Sequence, residues 1–276
     1  MQKVQKGVTS ALLWIFLIGT SLFVLYPLIY VVSAAFSPEQ NIASLSIIPF
    51  GDGVTLVNFK DLFQNTDFPL WFRNSLIIAV GTTVGTVFIC ALSAYVFSRF
   101  HFTFKRGMLM SLLILQIFPS FVGMVAIYVI LMRVHGLNTL WGLILIYMAG
   151  NIPYNTWMVK SYMDMLPKSL DEAARIDGAG HFTIFWKVIL PTARPIMVFL
   201  TITSFTAPWM DFIFPKMVLR SSKMQTVALG LFSFVTDKKF ASFAAGSLLV
   251  AVPFILFFIV TQKMLITSMS GAAVKE

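Results

Sequence analysis

Long apolar runs constrain this chain more than any other feature of its sequence. Six of them extend over about 20 residues, the length of an α-helix that crosses a bilayer. Backbone groups inside a membrane need internal hydrogen-bond partners, so such runs fold as helices. The sequence therefore predicts an all-α integral membrane protein with six transmembrane helices, at about residues 11–36, 74–98, 108–132, 140–162, 195–215 and 241–263.

The charge content agrees with a membrane protein. Only 11% of the residues are charged, against about 25% in a typical soluble domain. The net charge of +9 does not predict a nucleic-acid partner, because the basic residues are scattered at the ends of apolar runs. There they anchor helices to lipid headgroups and set the topology. The first run, 11–36, exceeds the apolar region of a signal peptide and is expected to be a retained span.

Side chains suited to catalysis or metal binding are sparse. Cys90 is the only cysteine, and His101, His135 and His181 lie far apart without the spacing of metal ligands. The apolar runs hold no paired carboxylates and no nucleophile with a nearby base. The chain contains no Gly-Lys pair of the kind that ends a phosphate-binding loop. We therefore expect no catalytic residue, no metal site and no bound cofactor in this chain.

Two polar links between the apolar runs are long enough to hold structure of their own. Residues 37–73 predict an extracytoplasmic loop with a short helix at 58–64, capped by Asn58. Residues 216–240 predict a second polar link. Placing the N-terminus inside puts the larger share of the 20 Lys and Arg residues on the inner side. This bias predicts that both chain ends are cytoplasmic.

Small and helix-breaking residues inside the runs indicate where spans pack or bend. Gly81 and Gly85 have the spacing that lets two helices approach closely. The same spacing is frequent by chance in apolar helices, so a packing interface and a chance occurrence both stay open. Gly150, Asn151 and Pro153 are expected to interrupt the fourth span.

The longest polar-containing stretch, 169–195, begins with signals for a short capped helix. Ser169 and Glu172 stand three residues apart, which is the spacing of a capping box. Gly178 is expected to adopt the left-handed conformation that ends the helix. A second short helix is expected to follow and to be closed by Pro191.

The spacing across this stretch has a known counterpart. Glu172-Ala173-Ala174 is followed by Gly178 and, after nine intervening residues, by Val188-x-Leu190-Pro191. This pattern resembles the EAA loop of ABC importer membrane subunits, and its extensions Asp177-Gly178-Ala179 and Pro195 resemble their carbohydrate-uptake branch. The resemblance implies a coupling helix that docks into a cleft of an ATPase subunit, where Glu172 makes a polar contact. The implied coupling residues are Glu172, Ala173, Ala174, Arg175, Asp177, Gly178, Leu190 and Pro191. A capped surface helix without a partner is the alternative.

Other stretches resemble the same family, so the resemblance covers nearly the whole chain. They are Asn74-Ser75, Ala94-Tyr95-x-Phe97-Ser98-Arg99, Gln116-x-Phe118-Pro119, Pro208-Trp209-Met210-Asp211-Phe212 and the tail Ser270-Gly271-Ala272-Ala273-Val274-Lys275. The resemblance to the second membrane subunit of maltose and maltodextrin importers implies the type I ABC importer permease fold. It also implies one permease domain over residues 1–276, with the coupling loop at 169–195.

The family resemblance implies a function and a set of partners. The chain would be a permease subunit of an ATP-driven importer for oligosaccharides of the maltodextrin or galacto-oligosaccharide kind, in a bacterial cell membrane. Its partners would be a homologous second permease, two ATPase subunits that hold ATP and Mg, and an extracytoplasmic sugar-binding protein. Movement of Glu172 and its helix with the ATPase cleft would drive alternating access.

The candidates for sugar contact are a small set of polar or aromatic side chains within or near the spans. They are Gln116, Asn151, Asn155, Trp209 and Asp211. Asp211 stands out, because a carboxylate at membrane depth is costly and usually has a partner or a function. Hydrogen bonding between helices is the alternative role for each of them.

Three other function classes stay open at this point. An ion-driven transporter or channel would favour ionisable residues deep in the spans, and only Asp211 approaches that position. A membrane enzyme would need a constellation of reactive side chains. An ABC importer for polyamines, phosphate or peptides would keep the coupling loop and change the cargo.

Overall fold

The computed structural model describes residues 2–117 and 122–273, and in this part of the chain helices alternate with turns and no strand occurs. Phe118 and Pro119, and the tail residues Val274 and Lys275, lie outside the described residues. The helices are α1 Gln2–Ala35, α2 Val57–Asn65, α3 Phe68–Arg99, α4 Lys105–Ile117, α5 Met124–Arg133, α6 Leu140–Met165, α7 Ser169–Ile176, α8 His181–Ile184, α9 Leu190–Thr192, α10 Arg194–Met210, α11 Ile213–Val218, α12 Val227–Thr236 and α13 Phe240–Ala273. A π turn, Phe185–Ile189, joins α8 to α9, and a 3-10 turn, Ser222–Met224, precedes α12.

Among the described residues, three helices are long and apolar enough to cross a membrane: Leu12–Ala35, Phe68–Arg99 and Phe240–Gln262. A fourth candidate combines His181–Thr192 with Arg194–Met210, which are bent by 80° relative to each other. These candidates fall at the predicted first, second, sixth and fifth spans. The predicted third span is divided between α4 and α5, and the predicted fourth is α6. The count of six spans stays a prediction.

The chain divides into two compact units. The first combines the residues up to Pro69 with Gly230–Ala251, and the second combines Leu70–Leu229 with the residues from Val252 onwards. The predicted 216–240 link is helical in large part, since it contains α12 and the end of α11. The apolar run of α12 gives this link a helix of its own.

In the first unit, Asn58 is not a helix cap. The short helix predicted at 58–64 is confirmed as α2, but Leu56 occupies the cap position. Asn58 is fully buried, and its amide donates to the carbonyls of Ala35 at 3.0 Å and Ser37 at 2.7 Å. It thus serves the unpaired carbonyls at the end of α1. The cap prediction was wrong because this tertiary demand outweighs the local preference for a cap.

In the second unit, α3 and α6 pack closely at Gly81 and Gly85. A Cβ atom at Gly81 would lie 2.9 Å from the side chain of Ile144, and one at Gly85 would lie 2.4 Å from that of Met148. The absence of side chains at both positions makes room for the Ile144 and Met148 side chains of α6. The glycine spacing therefore marks a packing interface.

The helix α6 is continuous through the predicted interruption. Gly150, Asn151 and Pro153 all lie inside Leu140–Met165, so the expected break was wrong. Pro153 is buried, and a proline inside a packed helix is tolerated when neighbouring groups compensate for its missing donor. The side chain of Asn155 donates to the carbonyl of Asn151 at 2.8 Å, which adds a bond in this turn.

A core cluster of apolar side chains holds the predicted coupling region against the helix bundle of the second unit. The cluster joins α3, α6, α8, the π turn and α10. Its buried members are Cys90, Ala91, Ala94, Tyr95, Val159, Met163, Ile184, Phe185, Ile189, Ala193 and Leu200.

Candidate functional site

The first turn of α7 is built without the predicted capping box. Lys168 occupies the cap position with helical dihedral angles, φ −65° and ψ −22°, and no side chain caps the helix. The N–H groups of Asp171 and Glu172 bond to the Lys168 carbonyl at 3.0 and 3.1 Å. Ser169 is therefore already the first helical residue. The capping-box prediction was wrong, because a cap residue needs extended dihedral angles that Ser169 does not have.

The end of α7 follows the prediction. Gly178 has φ +81°, the left-handed conformation in which glycine carries no steric penalty. Its N–H bonds to the Arg175 carbonyl at 2.9 Å, and the N–H of Ala179 bonds to the Ala174 carbonyl at 2.9 Å. This pair of bonds is the Schellman motif. The chain therefore turns sharply at Gly178 and starts α8 three residues later.

The two faces of α7 differ in exposure. Glu172, Ala173, Arg175 and Ile176 are exposed, and Ile176 is 87% exposed. Asp177 and Gly178, which follow the helix, are exposed as well. Asp171 is buried, and Ala174 packs against the core cluster. The predicted coupling residues of α7 thus present charged and apolar side chains outward, except for Ala174.

Asp171 and Arg99 are the residues of this region that sequence reasoning missed. Nε of Arg99 lies 2.9 Å from Oδ2 of Asp171, and the two side chains are only 5% and 8% exposed. Arg99 also donates to the carbonyls of Met163 at 2.9 Å and Leu166 at 3.2 Å. The available signal was an acidic residue beside Glu172 and an arginine at the end of an apolar run.

The second half of the predicted coupling region differs from the prediction. The helix that starts at His181 is not closed by Pro191. It widens into the π turn, passes Pro191 in α9 and ends at Thr192. Leu190 N–H reaches back five residues to the Phe185 carbonyl, and this wider turn accommodates a proline that cannot donate. The predicted stop at Pro191 was therefore wrong, and the chain bends at Ala193 instead.

The bend at Ala193 keeps its hydrogen bonds. The N–H of Ala193 bonds to the Ile189 carbonyl at 2.8 Å, and the N–H of Met197 bonds to the Ala193 carbonyl at 3.1 Å. Ala193 is fully buried. The segments before and after it are related by 80°, so the region continues into α10 without an intervening loop.

Apolar side chains in α8 and the π turn differ in exposure: some pack on the core cluster and others face outward. Phe185 packs on Tyr95 of α3 with a ring separation of 5.1 Å, and Leu190 is partly buried on the core cluster. Phe182 is 74% exposed, and Trp186 is exposed too. Together with Ile176 these two rings give the predicted coupling region exposed apolar surface, which the sequence analysis did not single out. Pro191 is exposed.

Among the predicted pathway residues, Asp211 has structural partners. Its carboxylate accepts from the Tyr147 hydroxyl at 2.8 Å and from the N–H groups of Ile213 at 2.8 Å and Phe214 at 3.3 Å. It thereby ties α6 to the start of α11. The expectation that this carboxylate has a partner is confirmed, and its contact with substrate stays a prediction.

The other predicted pathway residues are placed unequally. Trp209 is buried and stacks on Phe205 with a ring separation of 5.5 Å. Asn155 is buried and Asn151 is half-buried, one turn apart on α6. Gln116 is exposed on α4. Tyr147, Asn151 and Asn155 follow at intervals of four residues and so share one face of α6. Asp211 lies at the Tyr147 end of this face.

A cavity of about 360 Å³ lies beside the start of α4. Its lining consists of Phe102, Thr103, Lys105, Arg106, Leu109, Met110 and Trp157. No predicted pathway residue belongs to this lining. In the part of the chain that the structure describes, no group of three or more His, Cys, Asp or Glu side chains is placed to hold a metal ion.

Comparison with known proteins gives the family. The family model described as "Binding-protein-dependent transport system inner membrane component" matches residues 88–266, which include α7 and its Schellman exit. The chain belongs to this family. The match confirms the resemblance inferred from the Glu172-Ala173-Ala174 pattern, and it makes the chain a membrane component of a binding-protein-dependent transport system.

Relatives of this family match the chain from end to end. The maltodextrin transport system permease protein MalD of Streptococcus pneumoniae is 35% identical, over 99% of this chain and 98% of its own. The corresponding protein MdxG of Bacillus subtilis is 37% identical over 95% of both chains. The galactooligosaccharides transport system permease protein GanQ of Bacillus subtilis is 34% identical over 99% of this chain and 98% of its own.

A solved structure shows the same fold. A chain from the crystal structure of a bacterial ABC transporter involved in the import of the acidic polysaccharide alginate superposes with a TM-score of 0.76. The match covers 95% of this chain and 96% of the other at 21% identity. The predicted all-α fold is confirmed at this level.

Proposed function

We propose that this chain is the membrane-spanning permease subunit of an ATP-driven ABC importer for oligosaccharides of the maltodextrin or galacto-oligosaccharide kind. One observation carries the mechanism: a short helix, α7, presents Glu172, Arg175 and Ile176 outward while its other side rests on the helix bundle. Such a helix suits docking into a partner. The names of the end-to-end relatives support the choice of cargo.

The topology that we propose has six spans in a bacterial cell membrane. α4 with α5 forms the third span, α6 the fourth and α10 the fifth. Both chain ends and the coupling region, 169–195, then face the cytoplasm, and the loop at 37–73 faces outward. The distribution of Lys and Arg supports this orientation.

The partners that we propose are a homologous second permease, two ATPase subunits and an extracytoplasmic sugar-binding protein. ATP and Mg are held by the ATPase subunits. Closure of the ATPase dimer moves α7, and the membrane helices convert this displacement into opening toward the outside. Gln116, Asn151, Asn155, Trp209 and Asp211 are proposed to line the sugar pathway, with Asp211 also fixing α6 to α11.

The experiment that tests this function is a pull-down of the chain from its native membrane in mild detergent. We expect an ATPase subunit and a second permease among the co-purified proteins. Competition for uptake among oligosaccharides, polyamines, phosphate and peptides then identifies the cargo class. Recovery of the chain alone or as a homo-oligomer, even after mild crosslinking, would contradict the importer and favour an ion-driven transporter.

The variant Glu172→Arg tests the docking contact directly. Reversing the charge at a docking surface costs several kcal/mol, so we expect ATPase co-purification and uptake to fall at least about tenfold. Membrane insertion should not change, because Glu172 is exposed. Glu39→Arg, the same change at an exposed site in the 37–73 loop, is the matched control. Full transport by Glu172→Arg would exclude the coupling role of α7.

A further inference from the structure

Arg99 joins the ends of three helices. It is the last residue of α3, and its guanidinium donates to the carbonyls of Met163 and Leu166 at the end of α6. Its Nε lies 2.9 Å from the carboxylate of Asp171 in the first turn of α7. The neighbouring Ser98 hydroxyl donates to Asp164 of α6 at 2.7 Å. One side chain therefore connects two long helices of the second unit to the predicted coupling helix.

The charges match the helix ends that they meet. The guanidinium lies at the C-terminus of α6, where unpaired carbonyls carry partial negative charge, and Asp171 lies at the positive N-terminus of α7. Arginine suits this place because its planar fork can donate in several fixed directions, whereas a lysine ammonium acts as a single point charge. Replacement by lysine would keep the charge and lose part of the contact set.

Apolar packing fixes the rotation of α7 about its own axis only in part, because Leu170 is half-buried and the core cluster meets α7 at a single side chain. The helix has eight residues, all of them described, and of its apolar side chains only Ala174 packs on the core cluster. A methyl group is a weak determinant of orientation. Consecutive helical residues point about 100° apart, so the inward position of Asp171 determines that Glu172 points outward.

A buried ion pair is a poor source of net stability, because desolvation of the two charges offsets their attraction. Nε of Arg99 and both carboxylate oxygens of Asp171 have no aligned hydrogen-bond partner within the described ranges. The pair is thus an ion contact, held by charge, in a place where apolar packing would serve stability as well.

We propose that the Arg99–Asp171 pair is the positioning element of the coupling helix. It fixes α7 so that Glu172 and Ile176 face the ATPase subunit, and it ties any displacement of α7 to the ends of α3 and α6. This inference rests on the proposed function. Arg99 and Asp171 are positioning residues that act through Glu172, not contacts to the ATPase or the sugar.

Two conservative variants test the pair. Arg99→Lys keeps the positive charge that sets topology, and Asp171→Asn keeps the shape of the side chain. In the full importer reconstituted in proteoliposomes, with maltotriose as the probe, we expect the sugar transported per ATP hydrolysed to fall about fivefold or more. Arg133→Lys and Asp237→Asn, the same changes at exposed sites, should leave this ratio unchanged.

The double variant separates a shared role from two independent ones. If Arg99 and Asp171 act as one unit, Arg99→Lys with Asp171→Asn loses no more coupling than the more severe single variant. Losses that multiply would overturn the proposal. If Asp171→Asn fails to insert, Arg99→Lys decides alone, and an unchanged transport ratio in it would overturn the proposal.

A second readout does not depend on cargo or ATPase. Cysteines at Ile176 and Ala174, introduced singly in a Cys90→Ala background, report the outward and inward faces of α7 through their rates of maleimide labelling. In the otherwise unmodified chain Ile176→Cys should react with maleimide much faster than Ala174→Cys. Arg99→Lys should narrow this difference between the two labelling rates. An unchanged difference would overturn the positioning role. Arg99→Lys could narrow the difference in labelling rate while no ATPase co-purifies with the wild-type chain. That result would contradict the proposed function and leave the positioning role of the Arg99–Asp171 pair intact.

Discussion

Gly178 shows how one residue determines where the coupling helix ends. Its left-handed conformation and the two Schellman hydrogen bonds are local requirements, and the sequence predicted them correctly because both are encoded within a few residues. The Arg99–Asp171 pair is the opposite case. Its partners belong to different helices, and no local preference shows that the packing of α3 on α6 brings them within 2.9 Å.

The variant Gly178→Ala isolates backbone strain. A Cβ at this position has open space around it, so the cost is the left-handed conformation alone, about 1–2 kcal/mol. We expect the α7 amides to exchange with deuterium roughly 5- to 30-fold faster.

Gly107→Ala is the matched control, since Gly107 also has open space but lies inside α4. Alanine should stabilise α4 by about 0.5–1 kcal/mol and leave exchange in α7 unchanged. Equal exchange of α7 in the Gly178→Ala variant and the wild type would contradict the strain argument.

At the scale of elements, the apolar runs predicted the long helices well and the helix ends poorly. The long apolar runs appear as α1, α3 and α13, and the glycine pair marks the contact of α3 with α6. The wrong predictions concern caps and breaks, at Asn58, Ser169 and Pro191, and the break expected around Pro153, where α6 is continuous. A tertiary contact decided the first of these, because buried carbonyls bind the Asn58 amide. Local backbone geometry decided the next two: α7 already begins at Ser169, and a π turn accommodates Pro191.

The contact between α3 and α6 is predicted to fail when its glycines gain side chains. Gly81→Leu or Gly85→Leu forces Ile144 or Met148 aside, and such overpacking costs about 1–3 kcal/mol. A lower melting temperature of the detergent-solubilised chain is the expected result. Met148→Ala should partly restore the Gly85→Leu variant by making room.

Gly19→Leu provides the comparison, because nothing lies within 4 Å of a Cβ at Gly19 on α1. Its melting temperature should remain that of the wild type. A loss as large as that of Gly85→Leu would mean that leucine itself, and not the close approach of α3 and α6, causes the effect.

For the whole molecule, the end-to-end match in sequence and fold agrees with the family inferred from one loop. That inference was possible because the EAA-type spacing combines several residues at fixed offsets. The number and direction of the spans depend instead on how α4, α5, α6 and the bent α9–α10 segment meet the bilayer. Hydropathy alone does not decide this for helices that are short or carry polar side chains.

Topology can be tested with two exposed positions. In a Cys90→Ala background, Ile47→Cys, which is 80% exposed in the 37–73 loop, should react with a membrane-impermeant maleimide in intact cells. In cells that lack the partner ATPase subunit, Ile176→Cys, 87% exposed on α7, should react only after the membrane is permeabilised. Reaction of both cysteines in intact cells, or of neither, would contradict the proposed orientation.

The 80° turn at Ala193 divides this part of the chain into two helical segments that lie nearly at right angles. The first segment comprises α8, the π turn and α9, and the second is α10. Backbone hydrogen bonds continue on both sides of Ala193, so no loop separates the two segments. We therefore expect a displacement of the first segment along its axis to tilt or rotate α10. Movement of α10 within the bundle should displace the first segment in the same way.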